Sequence, residues 1–228
     1  HRQDHLMRVR TLLDSYEGWI CATDISVATS DPTQNTHNIT WPIVTVTSMP
    51  NVSSPCLSRL YLGSQIECAD TAASEGGWQK IFLPSRDNKM QTGFIPVASM
   101  MPVSDWVSLA EQFEHTPYLW GGRSFAGIDC SALIQLCLQT AGLDIPRNSV
   151  TQCAFFQQAP HQLIEQGKQH KRGDLIYWPG HVAICLDDRQ ILHANAFHHR
   201  VVREDRMRAL QRLQISTGSN ALTVRPNL

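Results

Sequence analysis

The stretch DCSALIQLCLQTAG, residues 129–142, constrains the fold of this chain more than any other. Leu133, Ile134, Cys137, Leu138 and Ala141 recur at helical spacing on one face, Asp129 stands where an N-cap belongs, and Gly142 supplies the C-terminal stop. A helix this apolar is a core element, and the sequence after it supplies strands to cover it. RGDLIYWPG, HVAICL and QILHANA read as three short strands, with Asp187-Asp188 turning the second into the third. REDRMRALQRL then reads as an amphipathic helix and ALTVRP as a last strand, so the order is helix then sheet, an α+β layout. Upstream, SDWVSLAEQFEH carries Trp106, Leu109, Ala110 and Phe113 at helical spacing behind Ser104 as N-cap, and Pro117 ends that helix. The composition changes after Met101, which sets one domain at 103–228.

Residues 1–100 are rich in Thr, Val, Ser, Ile and Trp, broken often by Pro, Gly, Asn and Asp. That is the pattern of short strands and tight turns, read here as small β-barrels. Two stretches share an outline of strand, turn and a close on Gly beside an aromatic: RVRTLLDSYEGWI at 8–20 and WQKIFLPSRDNKMQTGFI at 78–95. Only the second has a full set of upstream strands. The expectation is a first barrel over 1–30, truncated at its start, and a second over 38–102. A length of 228 residues fits a catalytic core with one or two such modules.

Lys+Arg (19) nearly balance Asp+Glu (20), which argues against a surface for nucleic acid or anionic lipid and for a small, specific ligand. Seven cysteines with no C-x-x-C pair indicate neither a zinc knuckle nor a complete disulfide framework, and so a reducing compartment. No apolar stretch approaches the roughly 18 residues of a membrane span, and HRQDHLMRVR lacks the apolar core of a signal peptide. The expected location is the bacterial cytoplasm, or the periplasm or exterior if an N-terminal signal has been removed.

Cys130 falls in the first turn of the 129–142 helix, where unpaired N–H groups and the positive dipole end favour a thiolate. A thiolate nucleophile needs an imidazole to take its proton and return it to the leaving amine. If HVAICL and QILHANA form a hairpin about Asp187, position i lies opposite 374 − i, which sets His181 against His193 on one side of the sheet. Taken singly, Cys130 reads equally as a small core residue, His181 as a strand-end surface histidine and His193 as a hydrogen-bonded core residue. Together they read as nucleophile, base and orienting group. The cluster His193, His198, His199 offers no second ligand set and no H-E-x-x-H helix, so neither a metal nor a cofactor is expected.

PYLWGGRSFAGIDCSALIQLCLQTAGLDIPRNSVTQ, RGDLIYWPGHVAICLDD and ILHANAFHHRV, in this order over about 104–228, resemble the NlpC/P60 family of cysteine peptidases. The preceding barrels resemble the bacterial SH3 modules that accompany γ-D-glutamyl-L-diamino-acid endopeptidases. The resemblance implies a papain-like catalytic domain with Cys130, His181 and His193 as triad. It implies that Asp129 binds the free amine of an N-terminal L-alanine, that Ser131 and Ser149 line the substrate groove, that Tyr118 stands by the nucleophile near the oxyanion, and that Tyr16 closes the far end of the groove. The implied substrate is a small muropeptide of the L-Ala-γ-D-Glu-diaminopimelate type. Other readings stand beside these: Asp129 as N-cap, Ser131 as a backbone partner at the helix start, Tyr118 and Trp120 as core aromatics, and Tyr16 as a packing residue. Family members commonly have glycine after D-C-S where Ala132 stands here, and alanine is the better helix former. Two rival functions use the same residues differently: an acyl or amide transferase with the same triad, and a wall-peptide-binding protein whose catalytic domain is silent.

Overall fold

The computed structural model describes residues 5–11, 14–25, 36–69, 76–84, 90–158, 160–165, 167–218 and 220–228. It divides into two compact units, His1–Met101 and Pro102–Leu228. Among the described residues no helix is long and apolar enough to cross a membrane.

In the first unit β1 (Leu6–Arg10) and β2 (Glu17–Cys21) form a two-stranded ribbon. A six-stranded antiparallel sheet follows from β3 (Thr36–Asn38), β4 (Ile43–Thr47), β5 (Cys56–Tyr61), β6 (Gln65–Cys68), β7 (Trp78–Pro84) and β8 (Met90–Pro96), in the order β3-β6-β7-β8-β4-β5. Alternate residues of these strands, Val44 and Val46, Ile66 and Cys68, Ile81 and Leu83, bury one face into a single core with Ile39 and Ile95. The two stretches of similar outline are both hairpins, and each sets a glycine opposite a β-branched residue: Gly18 against Val9 and Gly93 against Ile81. The expected barrels differ from this arrangement. Among the described residues β3 and β5 remain edges, so the ladder shows no closure, and of 1–30 the strands Leu6–Arg10 and Glu17–Cys21 form a ribbon. Closure depends on pairing between strands far apart in the chain, which alternation within each strand does not encode.

The second unit begins with α1 (Trp106–Glu111). Its cap is Asp105, not Ser104: the Asp105 carboxylate accepts from the Val107 N–H at 2.9 Å and from the Ser108 hydroxyl at 2.5 Å. Serine and aspartate cap about equally well, and the one with two donors ahead of it takes the position. A short β9 (Arg123–Ser124) and β10 (Gly127–Ile128) hairpin leads into α2 (Cys130–Thr140), and α3 (Ser149–Phe156) follows. Every residue of α2 from Cys130 to Leu138 is buried, a wider burial than the single face that the spacing predicts, while Ala141 is exposed beyond its end. Gly142 at φ +84° and the Leu143 N–H to Leu138 carbonyl bond close the helix as expected.

The sheet of this unit comprises β11 (Gln162–Ile164), β12 (Leu175–Trp178), β13 (His181–Cys185), β14 (Gln190–Asn195), β15 (Arg200–Asp205) and β16 (Leu222–Arg225), in the order β11-β16-β12-β13-β14-β15. Helix α4 (Arg206–Thr217) covers one face through a core of Ile176, Trp178, Ala183, Cys185, Ile191 and Ala209. Helices α2 and α3 pack against β13, and the Tyr177 hydroxyl meets Gln152 of α3 at 3.4 Å. Residues 203–205, read from sequence as the start of the basic helix, belong instead to β15, and α4 begins at Arg206 behind Asp205 as N-cap.

The β13–β14 register also differs from expectation. Ile184 pairs with Leu192 and Cys185 with Ile191, so opposed positions sum to 376 in place of 374. A hairpin pivoting on Asp187 alone would leave a one-residue loop, shorter than any that closes. Residues 187–189 form the loop, with the Asp187 carboxylate accepting from the Arg189 and Gln190 N–H groups at 2.7 and 2.8 Å. Because side chains alternate with period two, a shift of two keeps His181 and His193 on one face and turns a directly opposed pair into a diagonal one.

The 118–128 loop is held too closely for a side chain at Gly122, where a Cβ would lie 2.5 Å from the Gly127 carbonyl oxygen and 2.9 Å from that of Leu119. Gly122→Ala is expected to strain the loop by about 1–3 kcal/mol and to lower the melting temperature of the protein by several degrees in a calorimetric scan. An unchanged melting temperature would show that this loop is free to relax.

Candidate active site

Asp129 sets the start of α2. Its Oδ1 accepts from the Ala132 N–H at 2.8 Å and from the Ser131 hydroxyl at 3.2 Å, and its Oδ2 accepts from the Gly121 N–H at 3.0 Å. Arg147 grips both oxygens, Nη1 to Oδ1 at 2.9 Å and Nη2 to Oδ2 at 2.6 Å, and also donates to the Ser131 hydroxyl at 2.9 Å. Both partners are buried, so either one alone would be costly: removing one member of such a pair costs about 3–5 kcal/mol. The carboxylate has about four lone-pair sites and five donors on it, so its capping and anchoring roles are filled. Ser131 belongs to this network. Ser149 opens α3 and is buried.

This arrangement places Cys130 as the first residue of α2 with its own N–H and those of Ser131 and Val182 directed at the sulfur. Those donors favour the thiolate. Burial, and secondarily the Asp129 charge, work against it and push the thiol up to about 11. The Val182 amide brings the sulfur to the start of β13, where His181 sits partly exposed. Burial, His193 and Arg212 together hold His181 well below the usual imidazole range, against the opposing pull of Glu204. Both shifts favour a neutral Cys130 thiol and a neutral His181 imidazole at rest.

His181 Nε2 lies 2.9 Å from His193 Nδ1, with the rings edge to face at 5.1 Å. His193 is fully buried, and its Nε2 lies 3.0 Å from Glu204 Oε2 and 2.8 Å from Asn195 Nδ2. Since one nitrogen of His181 is engaged with His193, Nδ1 is the nitrogen left for the thiol. Tyr118 is close enough to Cys130 for the two charges to interact. Burial, then Cys130 and Asp129, raise its hydroxyl to about 12, so it stays a donor. Its neighbour Trp120 is 81% exposed, which removes the core reading for that residue. Tyr16 lies in the first unit, between β1 and β2, and is 45% exposed. Among the described residues no group of His, Cys, Asp and Glu is arranged to hold a metal ion.

Sequence reasoning missed Arg147, Glu204 and Arg212. Arg147 stands in the quoted PRNS motif, and a cation in a buried motif that follows an acidic helix cap was the available signal. Glu204 was hidden by the helical reading of 203–205. As a strand, β15 sets Val202 opposite His193, and Glu204, two residues on, shares that face.

Residues 115–216 match the model of the NlpC/P60 family. Over 89 residues the chain is 37% identical to dipeptidyl-peptidase 6 of Lysinibacillus sphaericus, a match covering 39% of this chain and 31% of that protein. Over 99 residues it is 28% identical to a gamma-D-glutamyl-L-lysine dipeptidyl-peptidase of Bacillus cereus, covering 40% of this chain and 28% of that one. The chain thus spans less than a third of the length of these curated relatives. A crystal structure of an NlpC/P60 family protein from Bacillus cereus shares the fold, with a TM-score of 0.69 over 93% of this chain and 70% of its own, at 19% identity. The second unit, of mixed helices and sheet, contains the residues that match this family model.

The neutral resting pair has a measurable consequence. A group whose folded value is raised stays protonated until the pH approaches that value, so alkylation of Cys130 by iodoacetamide should climb about tenfold per pH unit from about pH 6 to about pH 9. The extent of modification is followed by mass spectrometry of the peptide that carries Cys130. A rate independent of pH over that interval would reveal a preformed thiolate–imidazolium pair.

Proposed function

We propose that this protein is a cysteine peptidase that hydrolyses the γ-D-Glu–diamino acid bond of short bacterial cell-wall peptides. The observation that carries the reading is the 2.9 Å contact of His181 with His193, on the strand whose Val182 amide meets the Cys130 sulfur at the start of a helix. The curated relatives, two of them named as dipeptidyl-peptidases, support a wall-peptide substrate, and one carries the γ-D-glutamyl linkage in its name.

The chemistry follows from the site. The sulfur attacks the carbonyl carbon of the γ-glutamyl group while its proton passes to His181 Nδ1. The N–H of Cys130 and the Tyr118 hydroxyl are the donors for the oxyanion. His181 returns the proton to the departing amine of the diamino acid, leaving a thioester. Water, deprotonated by the same nitrogen, cleaves the thioester to release the acid and restore the thiol. His193 holds the imidazole in place throughout.

The finer part of the proposal is that the substrate carries a free N-terminal L-alanine read by Asp129. The five donors on that carboxylate mean that an amine would have to take over the place of one of them, and the Gly121 N–H is the one supplied by the loop. The test uses L-Ala-γ-D-Glu-meso-diaminopimelate, its N-acetylated copy and the Cys130→Ala variant, following release of diaminopimelate. The free peptide should be cleaved faster than the acetylated one, and the variant should lose at least about 10³-fold. Equal cleavage of both peptides would remove amine recognition alone. Release that survives in Cys130→Ala would overturn the peptidase reading.

A further inference from the structure

A polar contact behind His193 is absent from the triad. Glu204 of β15 faces His193 Nε2 at 3.0 Å. Its two oxygens are gripped by Arg212 of α4, Nη2 to Oε2 at 2.6 Å and Nη1 to Oε1. The Arg212 guanidinium is itself stacked on Phe197, with Cζ 4.5 Å from the ring centroid. Burial works to protonate Glu204, but the Arg212 and His193 hydrogen bonds outweigh it and hold the carboxyl well below the usual range. A carboxylate fixed in the ionised state can only accept.

That restriction propagates. A ring nitrogen facing an acceptor-only group has to carry the proton, so His193 is protonated at Nε2 and bare at Nδ1. The bare Nδ1 accepts from His181 Nε2–H across 2.9 Å. His181 Nδ1 is then bare and free to take the thiol proton. Each step reverses if the first does: with His193 protonated at Nδ1, His181 would present an N–H to the sulfur and could not act as base.

We propose that Glu204, clamped by Arg212, is a positioning residue that fixes the tautomer of the His193–His181 pair and thereby makes His181 a base. This inference rests on the peptidase reading for its catalytic consequence, though not for the tautomer itself. One group competes with Glu204. The Asn195 carboxamide accepts from the His198 N–H at 2.8 Å through Oδ1, which turns its Nδ2 towards His193 Nε2 at 2.8 Å. A neutral amide donor there would favour a bare Nε2. An ionised acceptor forms a charge-assisted bond roughly twice as strong, and a bare nitrogen would set its lone pair against the Glu204 charge. The carboxylate therefore decides the tautomer. Among the described residues His198 is a further ionisable neighbour, its Nε2 3.6 Å from Glu204 Oε2, beyond hydrogen-bond reach.

The Glu204→Gln variant isolates this role. Arg212, the charged donor, would keep the one remaining oxygen, so the amide NH₂ would turn to His193 and demand the opposite tautomer. The experiment is ¹⁵N NMR of histidine-labelled protein, with the His193 signals assigned by their loss in His193→Gln, combined with steady-state kinetics on the free tripeptide. Wild-type protein is expected to show His193 protonated at Nε2 and bare at Nδ1. Glu204→Gln is expected to reverse this and to lower kcat by about 10²–10⁴-fold with KM changed by less than about threefold. A wild-type His193 protonated at Nδ1 would overturn the proposal without any variant, as would a Glu204→Gln protein with unchanged tautomer and kcat. Wild-type protein that cleaves nothing would remove the peptidase reading, and its NMR spectrum would still decide the tautomer.

Discussion

One carboxylate fixes where helix α2 begins. Asp129 caps the helix through the Ala132 N–H, holds the 118–128 loop through the Gly121 N–H, and is anchored in turn by Arg147 at both oxygens. Because these bonds are buried, they cannot be exchanged for water, and the first residue of the helix has one available position. That residue is Cys130. The carboxylate also has an electrostatic cost for the site it builds, since its negative charge adds to burial in holding the thiol protonated. Under the proposed function the site therefore relies on an imidazole that collects the proton during attack, in place of a thiolate stored in advance.

The sheet supplies that imidazole and aligns it. His181 opens β13, His193 lies on the same face of β14, and Glu204 continues the row on β15, with Arg212 reaching up from α4 beneath. Four neighbouring elements thus hand one polar chain across the sheet. The charge at its far end gives direction to two rings that could otherwise donate either way.

The main outline was legible because it rests on local pattern. The helix at 129–142 announced itself by a cap, an apolar run and a closing glycine, and three strands followed with bounding turns. The choice of Cys130, His181 and His193 needed only those elements and the parity of side chains along a strand. Parity also rescued an error: a hairpin register wrong by two left both histidines on one face. Long-range pairing was not legible. Among the described residues the sheet of the first unit shows no closure where barrels were expected, and each strand records its own alternation and not its distant partner. Glu204 was lost to a misread boundary, since RED at 203–205 sits beside a basic helix and looks continuous with it. Arg147 was passed over because its partner, Asp129, is 18 residues away in sequence.

The proposed function requires the γ-glutamyl acyl group to pass to one cysteine sulfur among the seven. Rapid acid quench of the protein during turnover of an activated γ-D-glutamyl ester of L-Ala-γ-D-Glu, followed by intact and peptide mass spectrometry, observes that transfer directly. A thioester confined to the peptide bearing Cys130, which builds up before the first turnover is complete and disappears as product accumulates, is the expected result. Product formed with no adduct on Cys130, or an adduct carried by another cysteine, would contradict it.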